Sequence, residues 1–263
     1  MKHTLITLSL CLAACKTAPE VRAVAAPTLP QEELTIVSQS LTSVQVKYTG
    51  TVQADEAFTL EKARWEFVED GEVKEHGEVA LSGTSFELSQ KLEYVKDEEA
   101  LKAMDARGGS LLLALRGTLF VKVGEQTFEL PFARAKEVRT PRLPRLKLIE
   151  VQAGRFSEAE VQANFQLGVV NPNPFEINVT GLDYKVQLGG KEVSVGTQGR
   201  GDRVSPASTG VFELTSTLNE ETHGKEAAKL VKSKTVPWAL SATLALPLFS
   251  ETLEQTGDIK LTR

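Results

Sequence analysis

The sequence is poor in the residues from which most active sites are built. Its two cysteines, Cys11 and Cys15, fall in the first fifteen residues. The rest of the chain therefore has no disulfide and no thiol nucleophile. Of three histidines, only His76 and His223 lie beyond the N-terminus. Neither has the paired spacing of a metal ligand, and both read as solvated surface residues. No Gly-x-Ser-x-Gly elbow is present, so a hydrolase triad has no anchor. No glycine-rich phosphate loop opens a helix; Gly199-Arg200-Gly201-Asp202-Arg203 falls between strand patterns and reads as a turn. Positive charge is in deficit, with a formal net charge of -5, which excludes the footprint of a nucleic-acid binder. Aromatic residues make up 6% of the chain, and Trp65, Tyr184 and Trp238 sit on apolar-alternating faces, as core residues do. No catalytic residue, metal site or cofactor is expected, and the chain does not read as an enzyme.

Long hydrophobic runs are also missing. The apolar stretch from Thr4 to Leu10 is too short to span a bilayer. With Lys2 and His3 before it and Leu12-Ala13-Ala14-Cys15 after it, it reads as a bacterial lipoprotein signal covering residues 1–14. The Cys15 thiol would then carry a diacylglycerol, and the added acyl chains would exceed what stable anchoring needs. Lys16 follows the lipid site, in place of the aspartate that favours inner-membrane retention. The expected location is the envelope of a Gram-negative bacterium, in the outer membrane rather than the inner. Residues 15–32 contain Pro19, Pro27 and Pro30 and lack periodicity; they read as a flexible tether.

What the chain has in quantity is alternation of period two, the mark of antiparallel sheet. Val44, Val46 and Tyr48 alternate, as do Leu111, Leu113 and Leu115. Asp70-Gly71 and Gly189-Gly190 mark hairpin turns. Residues 97–106 break the pattern with acidic capping residues and Ala100, Leu101 and Met104 at helical spacing. Asn219 to Ser233 repeats that interruption further along. The order of segments recurs: Ala63-Arg64-Trp65 matches Leu182-Asp183-Tyr184, Phe86-Glu87-Leu88 matches Phe212-Glu213-Leu214, and Gly117-Thr118-Leu119 matches Ala242-Thr243-Leu244. The expected fold is all-β. Two immunoglobulin-like or fibronectin-like antiparallel β-sandwiches stand in tandem, over residues 33–140 and 146–263, each with one short helix. Thr140 to Arg145 reads as a stiff linker between them.

One stretch stands out. Asn171-Pro172-Asn173-Pro174-Phe175 joins two strand patterns. Neither proline can donate a ladder bond, and each drives the asparagine before it toward extended geometry. The asparagine side chains can bond local backbone instead, and Phe175 can plug the core. Continued into Gly181-Leu182-Asp183-Tyr184, this stretch resembles the type 2 late embryogenesis abundant family, whose module is also called the water stress and hypersensitive response domain. The resemblance covers roughly Leu146 to Arg263. It implies a small sandwich with a helix at its side and an association with stress and desiccation tolerance. In the first half the prolines are replaced, in Gln53-Ala54-Asp55-Glu56-Ala57-Phe58. On the residues alone, Asn171, Pro172, Asn173, Pro174, Phe175, Gly181, Leu182 and Tyr184 are expected to be structural. Two functions stand open: a lipid-anchored, non-catalytic stress-protection protein, or a structural or binding lipoprotein that recognises an envelope protein or glycan.

Overall fold

A computed structural model describes residues 24–261. The signal at residues 1–14, Cys15 and the first part of the tether lie outside the described residues. In chain order the first half contains β1 (Thr28–Gln39), β2 (Ser43–Gln53), β3 (Phe58–Glu69), β4 (Glu72–Ala80), β5 (Ser85–Glu93), α1 (Glu98–Arg107), β6 (Ser110–Val123) and β7 (Gln126–Arg139). The second contains β8 (Arg145–Phe156), β9 (Glu160–Asn171), β10 (Ile177–Asn178), β11 (Gly181–Leu188), β12 (Lys191–Gln198), β13 (Arg203–Val204), β14 (Ser208–Asn219), α2 (Glu220–His223), α3 (Lys225–Val231), β15 (Thr235–Leu246) and β16 (Phe249–Lys260).

Each half is a sandwich of a three-stranded and a four-stranded sheet. The orders are β1-β2-β5 with β4-β3-β6-β7, and β8-β9-β14 with β12-β11-β15-β16. Every ladder among the described residues is antiparallel. The two halves match strand for strand. The second adds only the small β10-β13 pair. The repeat extends to single residues. Trp65 stands opposite Gly77 and Gly117, and Tyr184 opposite Gly196 and Ala242. A Cβ on Gly77 would come within 2.7 Å of the Trp65 ring, and one on Gly196 within 2.8 Å of the Tyr184 hydroxyl. Each ring thus lies across a glycine of the edge strand, half-buried, rather than at the centre of a core.

The alternation converts directly into core. Val161, Ala163, Phe165, Leu167 and Val169 are all fully buried on β9, and Leu111, Leu113 and Leu115 on β6. The Asp70-Gly71 turn has φ of 48° and 91°, the double left-handed geometry of a type I′ hairpin. α1 is capped as its sequence suggests: the Asp97 carboxylate accepts from Ala100 N at 2.8 Å.

Three expectations need correction. The stretch read as a tether over residues 15–32 already contains β1 from Thr28. A bulge between Thr28 and Gln31 accommodates Pro30, which has no N–H to give the ladder. The second sandwich carries two short helices rather than one, because Gly224, at φ 78°, ends α2 and precedes α3. Finally, the two cores are not fully separate. Leu41, Val95 and Leu101 of the first half belong to the same buried cluster as the second sandwich, and Tyr94 and Met104 pack against both clusters.

Candidate functional site

The Asn-Pro stretch sits at this domain junction. β9 ends at Asn171, paired with Ser208, and the chain bends through residues 173–175 before the short β10 begins at Ile177. Burial continues to alternate. Asn171, Asn173 and Phe175 point inward, at 1%, 0% and 8% exposure, while Pro172, Pro174 and Glu176 face solvent. The prolines fix φ at 172 and 174 along this bent segment. The carboxamides then replace the missing ladder.

The Asn171 Nδ2 donates to the carbonyls of Phe175 at 2.8 Å, Val204 at 3.1 Å and Ser205 at 3.1 Å. Its Oδ1 accepts from Asn173 N and Asn173 Nδ2, both at 3.0 Å. One side chain therefore ties the Asn-Pro segment to the chain around β13. Asn173 reaches further. Its Oδ1 accepts from Arg142 N at 2.7 Å, and its Nδ2 donates to Arg142 O at 2.8 Å. A carboxamide bonded to both sides of one residue's backbone acts as a strand neighbour would. What it grips is the segment between the two sandwiches. From the other side, the Asp105 carboxylate in α1 accepts from Arg142 Nε at 2.7 Å and Leu143 N at 3.1 Å. Thr140 bonds the Gly109 carbonyl through its N–H at 3.1 Å and its hydroxyl at 2.9 Å. The segment read as a stiff linker is thus a bolted one, with Pro141 and Pro144 buried.

The other motif residues are structural in place. Gly181 opens β11, Leu182 is fully buried opposite Leu244, and Tyr184 covers Gly196 as described. Cys15 lies outside the described residues. His76 is exposed on β4. His223 departs from the solvated reading: it is half-buried, with Nδ1 2.7 Å from Thr222 Oγ1 at the end of α2.

Sequence reasoning missed a second polar cluster. In the first sandwich the fully buried Tyr48 donates its hydroxyl to Glu32, whose other oxygen pairs with Arg134 at 2.6 Å. The three side chains come from β2, β1 and β7, so they pin the two sheets together along one edge. Phe165 holds the place of Tyr48 in the other sandwich, since Leu88 faces Tyr48 as Leu214 faces Phe165. A cavity of about 690 Å³ adjoins the cluster, lined by Pro30, Thr49, Gly50, Ser85 and Phe86 among others. Burial and then the Glu32 hydrogen bond push the Tyr48 ionisation far above the usual phenol range. Burial does the same to Tyr94, whose hydroxyl caps the carbonyls of Ser40 and Ser43. Folding thus holds both phenols neutral, whereas unfolded tyrosine ionises near pH ~10. The stability they add is whole below about pH 10 and declines above it. Thermal melts followed by circular dichroism should be level up to that point and fall beyond it; a level profile to about pH 11 would contradict the assignment.

These features define a tandem of two antiparallel sandwiches with an asparagine-built junction. Residues 166–254 match the model of the family described as Late embryogenesis abundant protein. The match lies within the second sandwich and takes in its Asn-Pro-Asn-Pro-Phe and Gly-Leu-x-Tyr stretches. No curated protein matches the sequence. Among solved structures, the chain is similar to a protein from Archaeoglobus fulgidus, with 18% identity, 44% of this chain and 99% of that one covered, and a TM-score of 0.31. It is similar to an Arabidopsis thaliana protein solved in solution, with 15% identity, 47% and 85% covered, and a TM-score of 0.35. A DUF4785 family protein from Legionella pneumophila gives 15% identity, 87% and 55% covered, and a TM-score of 0.30. At such TM-scores the likeness adds nothing to the fold, which rests on the ladders above.

Proposed function

We propose that the chain is an envelope lipoprotein whose two bolted sandwiches form one stiff, non-catalytic arm with a role in stress and desiccation protection. The observation that carries this reading is the use made of the family motif. Both asparagine side chains, the buried polar groups of the motif, bond backbone and each other: Asn171 within the domain and Asn173 across the junction. The motif is thereby a piece of architecture, and the activity it supports is mechanical placement rather than chemistry. The lipid at Cys15 would hold the arm to the membrane, the outer membrane being favoured by Lys16. Cys15→Ser tests the anchor. The variant should lose palmitate labelling and leave the membrane fraction, whereas unchanged labelling would overturn the lipoprotein assignment.

A second reading is recognition of an envelope protein or glycan through a sheet edge. It is favoured by β4, which pairs only with β3 among the described residues and carries Val73 and Val79 at 46% and 38% exposure. A pull-down from envelope extracts that loses its partner when Val73 and Val79 become lysine would support this reading over the first.

A further inference from the structure

The two sandwiches differ along one edge. In the second, β12 packs across the sandwich on β14; in the first, β4 makes no comparable packing on β5. Among the described residues β4 is paired only with β3. Every residue of β4 except Gly77 is exposed. Its outer edge therefore offers unpaired backbone groups, the template on which another strand adds. A bulge between Val73 and Glu75 holds Lys74 out of the ladder and closes one end of β4 to regular pairing. The straight run is residues 75–80. From β3, the half-buried Trp65 ring lies across Gly77, so an indole reaches toward this edge. In the second sandwich the same place over Gly196 is taken by the hydroxyl of Tyr184.

We propose that β4 pairs antiparallel with β4 of a second copy of this chain, about a two-fold axis through Gly77. The proposal rests on the second reading only in taking β4 as the edge that binds, and it assigns the partner. A two-fold axis normal to the sheet keeps the faces of the two strands aligned, so it passes through a residue position. Three positions of the straight run compete. An axis at Glu78 sets two carboxylates directly opposite, which destabilises a strand pair. An axis at His76 draws the Lys74 bulge into the ladder. An axis at Gly77 uses residues 75–79 alone and sets His76 opposite the second copy's Glu78, twice over. It also leaves the inner face at the axis without side chains, so the two Trp65 rings approach each other over the paired glycines. Tryptophan is enriched among the residues that anchor interfaces. Net charge does not drive the contact. β3 and β4 hold three cations against six carboxylates. Around His76, Glu66 is paired with Arg116 and Glu78 with Lys62. Main-chain bonds and the indoles hold the pair, and the charges set its register. One partner consumes the straight run, so the assembly closes at the dimer. So short a strand contact is smaller than a stable complex needs, which makes it weak and reversible.

The test uses the purified full chain carrying Cys15→Ser under reducing conditions, with no membrane or envelope extract present. A failed lipid anchor or a failed pull-down therefore leaves the result readable. Sedimentation equilibrium should show monomer and dimer in balance, with a dissociation constant on the order of 10–500 μM. The dimer should persist in about 0.5 M salt, where attraction between exposed charges is screened. His76→Glu places carboxylates opposite Glu78 and should weaken the dimer about twofold to thirtyfold, the range for two cross-strand charge pairs. His76→Lys should tighten it by a similar factor. The same two changes at Ser250, exposed on β16 of the second sandwich, alter the net charge equally and should leave association unchanged. Circular dichroism should show all four variants folded. A monomer at every concentration up to about 0.5 mM, assemblies that grow beyond the dimer, or equal responses at His76 and Ser250 would each overturn the proposal.

Discussion

Asn171→Ala is expected to remove about 4 kcal/mol or more from the stability of the second sandwich. The side chain is 1% exposed and takes part in five hydrogen bonds. Its loss leaves the carbonyls of Phe175, Val204 and Ser205 and the N–H of Asn173 without those partners. A buried polar group left unmade costs about 1–3 kcal/mol, so even partial relief by water leaves a large sum. Breakage of a buried network is one of the few ways a single substitution reaches this size. Asn171→Asp sharpens the test, since it keeps the shape and acceptors but removes both donors. Asn164→Ala, on the half-buried face of the same strand, provides the reference and should change little. Urea unfolding measures all three. A loss below about 1 kcal/mol for Asn171→Ala would show that the carboxamide is not the tie described.

Phe175→Ala should cost about 3–5 kcal/mol, the usual range for truncating a buried phenylalanine. The ring is 8% exposed and belongs to the second core cluster, beside the chain crossing that Asn171 secures. Against a total of about 5–15 kcal/mol for a small domain, the loss should lower the melting temperature steeply. The paired readout is survival of cells after drying. If the segment is architecture, survival should fall only in step with stability. Loss of survival at an unshifted melting temperature would make the segment a binding site and defeat the structural account.

Much of this was legible in the residues. Val161 to Val169 alternate without a fault, and every inward position is buried. The repeat was legible too, because Trp65 and Tyr184 hold equivalent places over Gly77 and Gly196. The local role of asparagine was half legible. Asn171 does bond backbone close by, at Phe175. Asn173 instead reaches Arg142, 31 residues earlier in the chain. A carboxamide fits any peptide group at the right distance, and sequence spacing does not encode that distance. The same limit hid the Glu32–Arg134 pair, whose partners lie on β1 and β7. Glu32 was the available signal, a carboxylate at a position whose strand neighbours Leu34 and Tyr48 are buried. Pro30 misled for a local reason: it marks a bulge within β1, which as sequence is indistinguishable from a tether proline.

The central claim is that Asn173 bolts the two sandwiches together by gripping Arg142. Spin labels at Glu87→Cys and Glu213→Cys, exposed and equivalent positions of the two sandwiches, report the distance between the domains by pulsed electron spin resonance. The experiment needs a chain that starts at Val24 and so lacks both native cysteines. The account predicts one narrow distance distribution, and Asn173→Ala should broaden it while circular dichroism shows both sandwiches still folded. A distribution already broad with Asn173 present, or one whose width is unchanged by Asn173→Ala, would contradict it.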